Sequence, residues 1–141
     1  IPKKEDFLKY SPYIHPSVMF RRKVLQKCHG YRISKRGEDY DLFMRLHAMG
    51  CQGYNLQEEL FFYREDPEAV SRQKWQWRFE EMGIRLRGFA KLKLLKPQNT
   101  VYIIKPLLMG FVPRSSMMKI KRHVRKEMHV ERYEGSTTKT I

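Results

Sequence analysis

Glu38 and Asp39 stand side by side at the head of the run Glu38-Asp39-Tyr40-Asp41-Leu42-Phe43-Met44-Arg45-Leu46, in a chain with 29 Lys and Arg against 15 Asp and Glu. A carboxylate fixed within hydrogen-bond reach of a hydroxyl can take its proton as the oxygen forms a new bond. The spacing also fits an ordinary acidic first turn of a helix, where free backbone N–H groups and the helix dipole favour negative charge. His15 is a second side chain with chemical capacity. Its imidazole could approach a metal or an acceptor, or it could be a structural residue ahead of Pro16 at a strand start.

The elements that must carry these side chains follow from periodicity. Leu42, Phe43, Leu46 and Met49 recur at helical spacing, which predicts an amphipathic helix over 38–50 with both carboxylates pointing off its start. Asp41 lies two residues beyond Asp39, a rotation of about 200° around that helix, so it points elsewhere. Upstream, 3–10 is polar with little periodicity, and 12–20 reads as an extended stretch because its prolines bias their predecessors away from helix. Residues 21–28 read as a short helix with Gly30 placed to cap it, and 31–37 as a basic connecting loop. Residues 53–56 and 60–64 read as strands. Strand, helix, loop, helix, strand is an α/β pattern.

Asp66-Pro67 breaks the chain, and Ser71 can cap a long helix that Pro97 ends after Lys96. Trp75, Phe79, Met82, Leu86 and Phe89 alternate spacings of four and three, which predicts one apolar stripe packed on the rest of the domain. The most apolar segment, 101–113, is too short for the roughly 20 apolar residues a membrane span needs, and Lys105 and Pro106 divide it. In 115–132, Met117, Ile120, Val124 and Met128 share a helical face beside Lys119, Lys121, Arg122, Arg125 and Lys126. An apolar hook followed by a basic amphipathic helix has the character of a membrane-surface element, and equally of a hydrophobic flap with a solvated basic helix. The expected organisation is therefore 1–66, the α/β portion; 67–97, a long helix packing on it; 98–133, the hook and basic helix; and 134–141, a tail.

Length and charge bound the function classes. At 141 residues the chain can bury one core. A formal net charge of +14 predicts attraction to something anionic, whether nucleic acid, lipid or phosphorylated substrate. Cys28 and Cys51 have no metal-ligand or redox spacing and read as reduced thiols. No signal peptide is legible, and a start at Ile1-Pro2-Lys3 suggests a piece of a longer protein.

Several short motifs occur in a characteristic order. His15-Pro16-Ser17-Val18-Met19-Phe20-Arg21 is followed by Gly30-Tyr31-Arg32, then Glu38-Asp39-Tyr40-Asp41-Leu42 with Arg45-Leu46 and Gly50, then Tyr63-Arg64 and Ser71-Arg72. Over 12–72 this order resembles the C-terminal half of family 2 glycosyltransferases, especially small bacterial enzymes that build surface polysaccharide and cell-wall glycans.

The resemblance implies the C-terminal half of a GT-A type (Rossmann-like) α/β domain followed by a mainly helical region. It implies inverting transfer of a sugar from a nucleotide-diphosphate donor to a hydroxyl of a glycan or lipid-linked acceptor. Asp39 would be the general base, with Glu38 orienting the acceptor or serving as the base in its place. Arg72 resembles a basic residue that faces the donor diphosphate, and His15 is the other substrate-binding candidate. Asp39-Tyr40-Asp41 spells the D-x-D letters of the family's metal motif, but the family's motif follows a strand and this one lies in a helix. The divalent cation, Mn or Mg, would therefore have its ligands outside this chain, in the N-terminal half of the same enzyme, and the fragment alone would be inactive. A cytoplasmic location on the inner face of the cell membrane, against an anionic surface, completes the expectation.

Two other classes explain the charge: a nucleic-acid-binding module, and a non-catalytic basic module associated with membranes. No RNP, KH or helix-turn-helix signature is present and the basic residues are spread over every segment, so no specific nucleic-acid partner is expected.

Overall fold

The computed structural model describes residues 1–58, 60–62 and 75–111. The chain divides into two compact units, Ile1–Leu107 and Leu108–Ile141. The first carries 3₁₀ turns at Lys4–Leu8, His15–Ser17 and Pro97–Asn99 and the helices α1 (Arg22–Lys27), α2 (Glu38–Ala48) and α3 (Trp75–Lys91). A fourth helix, α4, spans Thr100–Leu108.

α2 is the centre. Seven consecutive residues, Tyr40 through Leu46, are buried, which is two full turns with no solvent face. The sequence predicts an amphipathic surface helix; the structure makes it a core helix, because Asp41 and Arg45 neutralise each other where the pattern calls for an exposed face. One side, Tyr40, Phe43 and Met44, packs with Phe7, Ile84, Phe89, Leu92 and Leu94. The other side, Leu42 and Leu46, packs with Cys28 and, at the edge, Phe20, Val24 and Leu25 of the α1 region. At about 1.5–3 kcal/mol per buried large apolar side chain, these two clusters supply most of what holds the unit together.

α3 meets α2 through a face rotated from the predicted stripe, sharing with it only the fully buried Phe89. Ile84, Arg85, Gly88 and Phe89 are buried, whereas Trp75, Phe79 and Leu86 are each about half exposed. Gly88 explains the rotation: a Cβ there would run into Met44 Sδ and Cε, so the two helices approach closest where α3 has no side chain.

Each of the first three helices stops in the same way, with paired reverse hydrogen bonds around a left-handed residue. In α2 that residue is Gly50 (φ 81), with Gly50 N donating to His47 O and Cys51 N to Leu46 O. In α1 His29 (φ 59) is left-handed and so is the expected Gly30 (φ 59), whose N donates to Leu25 O at 3.0 Å; in α3 the left-handed residue is Lys93 (φ 57). α3 therefore ends short of the predicted Lys96, and Leu94 turns back to bury itself beside Phe89.

The predicted hook at 101–113 is helical through Leu108, with Pro106 inside α4. Proline cannot donate to the carbonyl one turn back. Arg85 Nη1 lies 3.4 Å from that carbonyl, Tyr102 O, and supplies a donor in its place. Arg78 Nη1 donates to Pro106 O at 2.7 Å, so α3 arginines hold both sides of the interruption.

Among the described residues no strand forms. The 12–20 stretch contains the 3₁₀ turn His15–Ser17 before extended Val18, and 53–56 and 60–62 carry exposed Tyr54, Leu56, Leu60 and Phe62. Apolar alternation becomes a strand only when a neighbour takes up its N–H and C=O groups, and among the described residues no segment does so. Residues 63–74 and 112–141, including the basic helix expected at 115–132, lie outside the described residues.

Candidate functional site

The start of α2 is built by Gly37 and Ile84. Gly37 is left-handed (φ 78), a conformation that favours glycine, and a Cβ there would press on Ile84 Cδ1 at 3.3 Å. Asp41 N donates to Gly37 O at 3.0 Å and opens the helix without a side-chain cap. Glu38 and Asp39 occupy the first turn and are half-buried. Tyr40 N donates to Asp39 Oδ1 at 2.8 Å, which fixes the carboxylate against its own backbone. Among the described residues neither carboxylate is in an ion pair; the pairs there are Arg32–Asp41, Arg45–Asp41 and Arg85–Glu81.

His15 reaches this pair through Tyr31. Its Nε2 lies 2.8 Å from the Tyr31 hydroxyl, and the rings meet edge to face with centroids 5.6 Å apart. Burial pushes the Tyr31 phenol's pKa up, and the charges of Asp39 and then Glu38 push it the same way. Tyr31 therefore stays a protonated hydroxyl, in the field of both carboxylates and bonded to His15. The sequence singles out His15 and the acidic pair separately; the phenol that joins them falls within Gly30-Tyr31-Arg32, to which no role is given there.

Asp41 points away from this group, as the helical rotation predicts. Arg45 Nε donates to Asp41 Oδ2 at 2.7 Å, and Arg32 Nη1 lies 3.8 Å from the other oxygen. The rest of the Arg45 guanidinium donates to Cys28 O at 2.6 Å and Gly30 O at 2.7 Å. That fork closes the end of α1 onto α2 and sets where Tyr31 begins. Arg45 is a positional residue that spacing alone marks only as the polar side of a helix.

The loop between Tyr31 and α2 is pinned from α3. Glu80 Oε1 accepts from Ser34 Oγ at 3.0 Å and from Lys35 N at 3.1 Å. Ser34 Oγ also lies 2.8 Å from Arg36 O, so its single proton is shared between that carbonyl and Glu80.

On another side of α2, an apolar cleft of about 370 Å³ is lined by Val18, Phe20, Phe43, Leu46, Cys51 and Tyr54 among others. His47 and Tyr13 stand at it, with the Tyr13 hydroxyl 2.7 Å from His47 Nε2.

The structure thus brings Glu38, Asp39 and His15 into one neighbourhood. Arg72 lies outside the described residues. Those residues do not fit a divalent cation: no three His, Cys, Asp or Glu side chains converge among them, and the second aspartate of Asp39-Tyr40-Asp41 is taken by arginines. No helix among them is long and apolar enough to cross a membrane.

No family model and no solved structure matches the chain. Among characterised proteins, it is 32% identical over 120 residues to EpsE of Bacillus subtilis (strain 168), whose name marks it provisionally as a glycosyltransferase; the match covers 83% of this chain and 43% of that protein. It is 34% identical over 77 residues to the Escherichia coli UDP-Gal:alpha-D-GlcNAc-diphosphoundecaprenol beta-1,3-galactosyltransferase, covering 52% of this chain and 28% of that protein. The chain spans less than half the length of either relative, and what it is similar to, in both, is a stretch of a protein named for glycosyl transfer.

Proposed function

We propose that the chain is the acceptor-side, C-terminal half of a family 2, GT-A type inverting glycosyltransferase of bacterial surface-polysaccharide or cell-wall glycan synthesis. The observation that carries this reading is the similarity, sustained over 120 residues, to a protein named as a glycosyltransferase. The site's geometry is in keeping with it: two half-buried carboxylates at the start of a buried helix, with no ion pair to either among the described residues.

In this reading Asp39 accepts the acceptor hydroxyl's proton while that oxygen bonds to the donor sugar's anomeric carbon. The bond from that carbon to the nucleoside diphosphate breaks on the opposite face, which inverts the configuration. Glu38 orients the acceptor. The Tyr31 hydroxyl, hydrogen-bonded to His15 Nε2, stays neutral in the field of the two carboxylates. The nucleotide and the divalent cation, Mn or Mg, belong to the N-terminal half of a longer parent, and the exposed 53–56 and 60–62 segments find their strand partners there. The isolated chain then transfers no sugar. The basic segment 115–132 holds the parent to the anionic inner face of the cell membrane. A donor of the nucleotide-diphosphate class and a lipid-linked acceptor are in keeping with the printed name of the Escherichia coli relative.

The test is Asp39→Asn in the full-length parent. Loss of the proton acceptor should lower turnover by about 10²–10⁴-fold with donor binding retained, the range for a positioned general base. Near wild-type turnover would remove Asp39 from this role.

A further inference from the structure

Most of the apolar stripe predicted for α3 stays open to solvent. Trp75, Phe79 and Leu86 are 46, 56 and 49% exposed, and Met82 between them is half-buried. At about 100° per residue these four fall within about 60° of the helix circumference and run about 16 Å along its axis. Gly83 and Ala90 widen the same arc to about 100° without adding charge. Both acids of the helix lie off the arc and are occupied: Glu80 holds Ser34 and the Lys35 amide, and Glu81 pairs with Arg85 at 3.2 Å. A cation borders the arc instead. A Cβ on Gly83 would come 3.3 Å from Arg87 Nη1, so the guanidinium of exposed Arg87 lies back along the arc's edge. Exposed Lys91, Lys93 and Lys96 follow at the end of the helix, and no Asp or Glu occurs between Glu81 and Glu127.

We infer that this arc of α3 is a lipid-contacting surface that lies in the plane of an anionic membrane, with Trp75, Phe79 and Leu86 below the headgroups and Arg87 on their phosphates. The inference rests on the reading above only for the anionic membrane, and it adds to 115–132 a second contact made by a folded face. An apolar stripe ending in tryptophan and edged by arginine suits a helix lying in the interface, where the indole sits at headgroup level and the guanidinium takes phosphate oxygens. Lipid fits better than a second copy of the chain, which would bring the same cations together with no acid to meet them. α3 also holds the 34–36 loop through Glu80 and packs on α2 at Gly88. Lipid contact here therefore fixes how Glu38 and Asp39 stand relative to the surface.

The chain has two tryptophans, Trp75 and Trp77, so Trp77→Phe leaves Trp75 as the sole reporter. In this variant of the 141-residue chain, vesicles of mixed phosphatidylglycerol and phosphatidylcholine should move Trp75 emission to shorter wavelength. Lipids brominated high on the acyl chain should quench it, and pure phosphatidylcholine should do neither. Phe79→Ser/Leu86→Ser should weaken sedimentation with the anionic vesicles by about fivefold or more. Leu56→Ser/Phe62→Ser, an exposed apolar pair outside α3, should change it less than twofold. Sedimentation with Trp75 neither shifted nor quenched overturns the inference and leaves 115–132 as the anchor. No sedimentation overturns it together with the membrane reading. An equal Trp75 shift with heparin would make the arc a site for a soluble polyanion, and equal weakening by the two serine pairs would remove its specificity; either overturns the proposal. In the full-length parent, Phe79→Ser/Leu86→Ser should weaken vesicle binding by the same factor. Unchanged binding there would mean that the parent's own chain covers the arc, and it also overturns the proposal. None of these readouts involves sugar transfer, so the transferase reading stands or falls separately, at Asp39→Asn.

Discussion

The hydroxyl of Tyr13 lies 2.7 Å from Nε2 of His47, beside the Phe7 ring, which meets the imidazole edge-on with centroids 4.8 Å apart. Burial lowers the His47 pKa below its ordinary value, and Asp6 opposes this only as a smaller effect. The folded chain therefore binds fewer protons at this site than the unfolded chain does below about pH 6.5. The stability it contributes is present above that pH and is lost as pH falls. Urea midpoints should drop between about pH 7 and pH 5, and His47→Gln, which keeps a hydrogen-bonding group but cannot titrate, should flatten that part of the profile. An unchanged slope in the variant would exclude His47 as its source.

Breaking the buried arginine is expected to cost more. Arg45→Met leaves the Asp41 charge buried against only a distant Arg32 and strips donors from Cys28 O and Gly30 O. Removing one partner of such a pair costs roughly 3–5 kcal/mol. Asp41→Asn/Arg45→Met should recover part of this, because the stranded charge goes with the second change. Chemical denaturation of the three variants measures both terms.

Gly88→Ala tests the close approach of α2 and α3. The added methyl meets Met44, which has no exposed surface into which to retreat. Overpacking of this kind costs about 1–3 kcal/mol. In a Met44→Ala background the same change should be tolerated far better, and a thermal melt of the double-mutant cycle reads the coupling.

Tyr31→Phe in the full-length parent removes the hydroxyl shared with His15 and leaves the ring. Turnover should fall about tenfold with donor KM unchanged, and His15→Ala should fall similarly. The two substitutions together should cost little more than either alone, because they remove one unit. Additive losses would separate the residues.

Much of the acidic site was legible in the sequence, since a helix start is a local affair. Gly37-Glu38-Asp39 and the apolar spacing that follows place α2 and turn Asp41 away from the pair without any tertiary information. What the sequence hid was where polar residues go when they are buried. Arg45 and Arg85 read as solvent-facing, yet each is buried, one on Asp41 and the α1 end, the other on Glu81 and over the Tyr40 ring. Counting them as polar rotates α3 away from its true contact face at Gly88. Pro106 likewise reads as a break until Arg85 supplies the donor that proline lacks. Tyr31 escaped because its importance lies in touching His15, sixteen residues away.

The burial of α2 on all sides sets the tempo of the site beside it. Amides from Tyr40 to Leu46 can exchange with solvent only when the surrounding elements open together, which makes this the slowest-exchanging stretch of the unit. Asp39 is one residue from it and shares its backbone hydrogen bonding. The Asp39 carboxylate, which the Tyr40 amide holds, keeps its place on that slow backbone. The exposed side chains of Lys35 and Arg36 differ: they can change rotamer in nanoseconds on a backbone that Glu80 and Ser34 hold still.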